Sequence, residues 1–396
     1  MARELVLSAY AVEQQASHWE TQKGKKVMSM TVASSNAFNR LSLPLVAQKT
    51  SGVFIDKRIA SGKLREEVVP ANVVGLTRDL TVLRGERSAD FIKFDHHGDQ
   101  ITFCPPMWSD LGIGSGPCGL LCRSCFLMLT FRSMRDPMRH VLYDNVEAYW
   151  SATRRWLMDP SRRRQHTLGL GIDCSDSLLY EGVTGHARNL IPMFADPTHN
   201  PQGNLLVLLT KSKNAQYLEG LPTSNVAVTF SLNPEPIADL WEGKWPDNLE
   251  RVTPSIHERL LACKQAQDWG FEVRWRLDPI FYPPGWEKMY GEFLANAAAL
   301  GLRPRYITLG TYREKNAQLD TWREKWGLPA MEWEPNNLVK DGTHFRVPES
   351  DRLAVYGVVR ESVQRWFPFS RVSLCKESSS VRKQLDLCNA ACNCLV

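Results

Sequence analysis

No stretch of this 396-residue chain approaches the roughly 18 to 20 consecutive apolar residues that a bilayer-spanning helix requires, which argues against a transmembrane protein. The start, Met1-Ala-Arg-Glu-Leu, lacks the charged-then-apolar pattern of an export signal, so a cytoplasmic location is expected. A strong charge of either sign is also missing. With 48 basic and 43 acidic residues the formal charge is +5, which permits contact with a polyanion without demanding it. Nor is the composition that of a disordered chain, since 43% of residues are hydrophobic and 23% charged. Ten cysteines in a reducing compartment do not make a disulfide framework. What remains is a folded protein, long enough for one large α/β domain with appendages or for two ordinary domains.

Residues 1–95 show no sustained helical or strand period and are read as an N-terminal extension of uncertain fold. Residues 90–103 form two alternating segments around a His-Gly-Asp turn, the pattern of a hairpin. Beyond it, short apolar runs alternate with amphipathic stretches. Strands are expected at 167–172, 204–210, 226–232, 270–277 and 305–309, and helices at 145–158, 181–194, 254–269, 286–300 and 316–326. Thr253 is the expected N-cap of the helix at 254–269, with Pro254 at its first position. Repeated strand-helix units imply a parallel sheet with right-handed crossovers. The expected fold is therefore α/β, a partial (β/α)6 TIM-like barrel over residues 96–330. Residues 331–396 follow as a C-terminal region with a short hairpin, a helix and a cysteine-rich tail. In such a barrel chemistry gathers at the C-terminal ends of the strands. Those ends carry Asp173-Cys174-Ser175-Asp176, Thr210-Lys211, Ser231-Leu-Asn233 and Asp278-Pro279. Arg154, Arg155, Arg162, Arg163 and Arg164 crowd one helix end, where a solvated face is favoured over a phosphate contact.

The cysteines are unevenly placed, and clustering of this kind points to metal. Cys118-x-x-x-Cys122-x-x-Cys125 brings three thiols into one short loop. Iron-sulfur clusters are held by cysteine thiolates, and three ligands leave one corner of a [4Fe-4S] cubane open. Gly112, Gly114, Gly116 and Gly119 would let the backbone wrap closely around such a group. The alternative is a structural zinc completed by Cys104. Four further cysteines, Cys375, Cys388, Cys392 and Cys394, are enough to close a second metal site. An auxiliary iron-sulfur cluster, a zinc ion and no metal all remain open readings for them.

The triplet resembles that of the radical S-adenosylmethionine (SAM) superfamily. The order of Cys174-Ser-Asp-Ser-Leu, Leu208-Leu-Thr-Lys-Ser, Val228-Thr-Phe-Ser-Leu-Asn, the stretch from Arg259 through Asp278 to Glu287, and Arg365-Trp-Phe-Pro368 is similar to its spore photoproduct lyase branch. The resemblance implies that the open iron binds SAM, and that an electron from a donor such as flavodoxin or ferredoxin releases a 5′-deoxyadenosyl radical. It implies that Phe126 lies beside the adenine, that Lys211 pairs with the SAM carboxylate and that Ser231 contacts its ribose or methionine part. Ser175, Asp176 and Asn233 are expected to share in SAM binding, and Cys174 to donate a hydrogen atom to a product radical. The implied substrate is a nucleic acid or nucleotide, with lyase-like cleavage, rearrangement or base modification. A small metabolite and a non-catalytic nucleic-acid-binding protein are the alternatives. Two departures stand out. Phe126 occupies a position where a tyrosine relay would need tyrosine, and the hairpin at 338–346 is shorter than the DNA-wedging hairpin of the lyases.

Overall fold

The computed structural model describes residues 58–94, 108–116, 118–125, 127, 139–160, 165–172, 175–243, 251–314, 333–342, 344–388 and 394. All belong to one compact unit, Ala47–Val396. Its first strands are β1 (Leu64–Val69), β2 (Leu80–Gly85), β3 (Ile92–Phe94), β4 (Trp108–Leu111), β5 (Gly114–Ser115) and β6 (His140–Tyr143). Strand-helix units follow: α1 (Val146–Leu157), β7 (Thr167–Leu170), α2 (His186–Ala195), β8 (Leu205–Thr210), β9 (Val226–Ser231), α3 (Glu235–Trp241), α4 (Ile256–Asp268), β10 (Glu272–Ile280), α5 (Trp286–Ala299) and β11 (Tyr306–Thr311). The chain continues through β12 (Arg313–Glu314), β13 (Val339–Asp341), β14 (His344–Arg346), α6 (Glu349–Trp366), β15 (Arg371–Leu374) and α7 (Ser379–Gln384). No described helix is long and apolar enough to cross a membrane.

The main sheet runs β15-β11-β10-β9-β8-β7-β4-β3, and every pairing from β4 to β15 is parallel. Seven parallel strands are thus present where six were expected. The additional one is β15, which pairs with β11 from the region assigned to the C-terminal appendage. The sheet therefore continues past residue 330. Its two edge strands, β15 and β3, are not paired to each other, so the fold is a partial barrel, open in the described residues.

Period-two alternation divides the side chains of this sheet. Leu206, Leu208, Val228, Phe230, Val273, Trp275 and Leu277 face the helices and join the main core. Leu205, Val207 and Ala227 lie on the opposite, inner face with Trp108. A near-continuous apolar run such as Leu-Leu-Val-Leu-Leu in β8 is what a strand covered on both faces needs.

Several local expectations shift. The helix expected at 181–194 breaks at Gly185, whose φ of 62° is left-handed, into Glu181–Thr184 and α2. The cap of α4 is Ser255 rather than Thr253, and a capping box with Glu258 closes it. Ser255 wins because Glu258 stands three residues on, where its carboxylate reaches the cap's own N–H. β3 pairs antiparallel with β4, so a return strand exists, but most of the segment expected as a hairpin lies outside the described residues, as do Cys104 and the helix expected at 316–326. The later hairpin is present as β13 and β14, joined at Asp341-Gly342. Arg346 anchors it through Glu377 at 3.0 Å, a buried carboxylate that also meets Arg352 at 3.2 Å. Arg154 and Arg155 are exposed at the end of α1, and Arg162, Arg163 and Arg164 lie outside the described residues.

Candidate active site

The cysteine loop follows β5 and is folded back on itself by two turns, Leu121 N–H to the Cys118 carbonyl at 3.2 Å and Cys125 N–H to the Cys122 carbonyl at 3.0 Å. Cys122 is buried, and Cys118 and Cys125 are partly so. Burial pushes all three thiols up, Cys122 to about 12. For Cys118 the neighbouring Cys125 and Cys122 add to the effect, which shows that the three converge. Thiolates crowded this way in low dielectric are stable only beside a compensating cation. The donor set therefore fits a metal group. Among the described residues no three His, Cys, Asp or Glu side chains surround a single ion, whereas a [4Fe-4S] cubane takes its thiolates on three separate irons.

The loop is locked in place from three sides. Gly119 donates its N–H to the Tyr180 hydroxyl at 3.2 Å, and a Cβ there would stand 2.3 Å from Leu80 Cδ1, so only glycine allows this approach. Tyr180 itself stacks on His140, with centroids 5.3 Å apart. From α3, the Trp241 carbonyl accepts the Arg123 N–H at 2.9 Å, and Trp241 stacks on Phe281 at 3.8 Å. None of Tyr180, His140 or Trp241 was signalled by the sequence, because each acts through a partner distant along the chain.

Lys211 and Ser231 meet beside this loop. Thr210 pairs with Phe230 across β8 and β9, so the next residues face each other on the inner side. Lys211 Nζ donates to Ser231 Oγ at 2.9 Å and to Glu242 Oε1 at 2.7 Å. Glu242 is buried, and Arg259, fully buried on α4, binds both of its oxygens. Burial pushes the Glu242 carboxyl up, but Arg259 and Lys211 outweigh it and hold it at about 2. Lys211 and Arg259 lower the cost of a Cys122 thiolate, so this network is electrostatically coupled to the triplet. Glu242 and Arg259 are the site residues that sequence reasoning missed.

The remaining candidates separate. Asp176 is committed to the fold: its carboxylate accepts Leu178 N–H at 3.0 Å, Leu179 N–H at 2.9 Å, Thr210 Oγ1 at 2.8 Å and Lys211 N–H at 2.6 Å. It clasps β8 to the turn after β7 and so sets the backbone of Lys211. Asn233 is likewise a strut, accepting from the Tyr290 hydroxyl at 2.8 Å and donating to the Pro279 carbonyl at 3.3 Å. Ser175 Oγ is buried and has no hydrogen-bond partner among the described residues. Cys174 and Phe126 lie outside the described residues.

Of the described tail cysteines, Cys375 and Cys394 both act on the charge of Arg276. Cys375, just past β15, is buried and accepts from Arg276 Nη2 at 2.9 Å. Cys388 is exposed, and Cys394 packs with Ile172 against the inner-face cluster of Trp108, Leu205, Val207 and Ala227. Cys392 lies outside the described residues.

This arrangement is a three-thiol loop beside an open parallel α/β barrel, a fold the chain shares with solved structures. In particular, the chain is similar to a spore photoproduct lyase complexed with dinucleoside spore photoproduct, at 15% identity and a TM-score of 0.59 over 73% of this chain and 80% of that one. A spore photoproduct lyase mutant with bound AdoMet and dinucleoside spore photoproduct matches with the same figures. Another mutant of that lyase matches at 16% identity and a TM-score of 0.57, with the same coverage. At such identities the likeness is one of fold. No family model and no curated protein matches the sequence.

Proposed function

We propose that this protein is a radical SAM enzyme in which Cys118, Cys122 and Cys125 hold a [4Fe-4S] cluster and Lys211 and Ser231 bind SAM. The carrying observation is the 2.9 Å contact of Lys211 Nζ with Ser231 Oγ on the strand ends beside the cysteine loop. When bound, the cluster and SAM supply a 5′-deoxyadenosyl radical to abstract hydrogen from an unactivated carbon. The chain's own residues orient and enclose. The Lys211 ammonium suits the SAM carboxylate, and the Ser231 hydroxyl can serve as donor or acceptor to its ribose or methionine part. Glu242, neutralised by Arg259, keeps the ammonium aimed along the inner face. Ser175 Oγ, buried and unpartnered, supplies one further donor. Asp176 and Asn233 act through the backbone and stand apart from the cofactor.

A nucleotide-type substrate is the favoured reading, because a lyase of similar fold is complexed with dinucleoside spore photoproduct. An electron donor such as flavodoxin or ferredoxin would complete the cycle. Anaerobic reconstitution with iron and sulfide, followed by dithionite and SAM, tests the proposal. We expect 5′-deoxyadenosine; its absence from a sample with a loaded cluster overturns it.

A further inference from the structure

One strand beyond the Lys211 and Ser231 pair, the inner face carries a second charged group. Ser231 pairs in register with Arg276 on β10, and period-two alternation sends Arg276 and Asp278 to the same side. Asp278 lies over Gly310 of β11, where a Cβ would stand 2.5 Å from its Oδ1. Glycine at that position lets the carboxylate cross the strand. There Arg313 grips it with both nitrogens, at 2.9 and 3.0 Å, while Arg276 Nε stands 3.4 Å away. Arg276 Nη2 donates to Cys375 Sγ at 2.9 Å, and its Nε, though buried, makes no hydrogen bond.

The charges do not balance. Two guanidiniums share one carboxylate, and no other ion pair joins either of them among the described residues. Arg313 holds the better geometry, so the surplus charge belongs to Arg276, whose other neighbours are the thiols of Cys375 and Cys394. Buried charge is ordinarily paired, and the 17% of the Arg276 side chain that stays exposed can meet an oxyanion. Its place beside Ser231 is where a substrate lying next to SAM would present such a group.

We propose that Arg276 is a substrate-binding residue that takes a phosphodiester oxyanion, with Asp278 and Arg313 positioning its guanidinium. The assignment rests on the SAM reading of Lys211 and Ser231 and names the substrate class for that site. Two probes test it on the reconstituted full-length protein by calorimetry: a dinucleoside monophosphate and the same dinucleoside without its phosphate. The phosphate probe binds about tenfold more tightly, the worth of one charge-assisted hydrogen bond. This preference weakens with added salt. It is lost in Arg276→Met, partly kept in Arg276→Lys and fully kept in Cys375→Ala. Arg276→Met leaves the Asp278 and Arg313 pair intact, and thermal unfolding checks that it folds. Equal affinities in the wild type, binding of neither probe, or a preference that survives Arg276→Met overturns the assignment. So does a preference that emerges only in Cys375→Ala, since the Cys375 sulfur would then have been the counter-charge. 5′-Deoxyadenosine formation reports on the SAM reading separately, so either can fail without the other.

Discussion

Cys122 and Cys375 are both buried thiols near the C-terminal edge of one parallel sheet, and both come from sequence segments crowded with cysteine. Around Cys122 stand the thiols of Cys118 and Cys125 together with the charges of Lys211, Glu242 and Arg259. Around Cys375 there are guanidiniums instead, Arg276 at 2.9 Å and Arg313 at 3.7 Å. In the first arrangement three thiols converge beside one ammonium and one guanidinium; in the second a thiol meets two guanidiniums.

The sharpest way to break this contrast is to remove one thiol from each region. Cys122→Ala should abolish both cluster loading and 5′-deoxyadenosine formation, whereas Cys375→Ala should retain the iron and sulfide of the wild type. Equal iron loss in both would place a metal at the tail after all. Next in size is Glu242→Gln, which leaves Arg259 buried without its counter-charge. A loss of about 3–5 kcal/mol in chemical denaturation is expected; a change below 1 kcal/mol, roughly the worth of an exposed pair, would mean the network is not structural.

The two buried aspartates sharpen the comparison through pH. Burial pushes Asp176 up, and its neutral donors, backbone N–H groups and Thr210, do not overcome that. Burial acts on Asp278 too, but Arg313 and Arg276 hold its carboxyl well below the usual range. A depressed folded value means that Asp278 contributes stability above its unfolded pKa of about 3.9 and loses it as pH falls further. Asp278→Asn should therefore cost about 3 kcal/mol at pH 7 and progressively less below pH ~4. A pH-independent difference in denaturation midpoints would contradict the assignment. The smallest effect concerns Asn233: Asn233→Ala should lose about 1–3 kcal/mol through the unsatisfied Tyr290 and Pro279 groups, with SAM affinity unchanged. A drop in SAM affinity at full stability would return Asn233 to the cofactor.

Much of the fold was legible because it is written locally. Strands β7 to β11 and helices α1, α4 and α5 fall within a few residues of their expected bounds, since hydrophobic period and capping act over neighbouring positions. β15 was not legible: Arg-Val-Ser-Leu is four residues long, and only pairing with β11 makes it a strand. The same division holds at the site. Asp176 looked like a ligand because it sits at a strand end, but its four donors come from β8 and the turn that follows β7.

What the sequence by itself determined is the triplet, whose thiols converge because they lie within one short loop, and the alternation that puts Lys211 and Ser231 on one face. Only the tertiary structure decided which distant groups meet them. Strand order and register bring Glu242 and Arg259 to Lys211 and set Arg276 between Ser231 and Cys375, and neither pairing leaves a trace in local spacing.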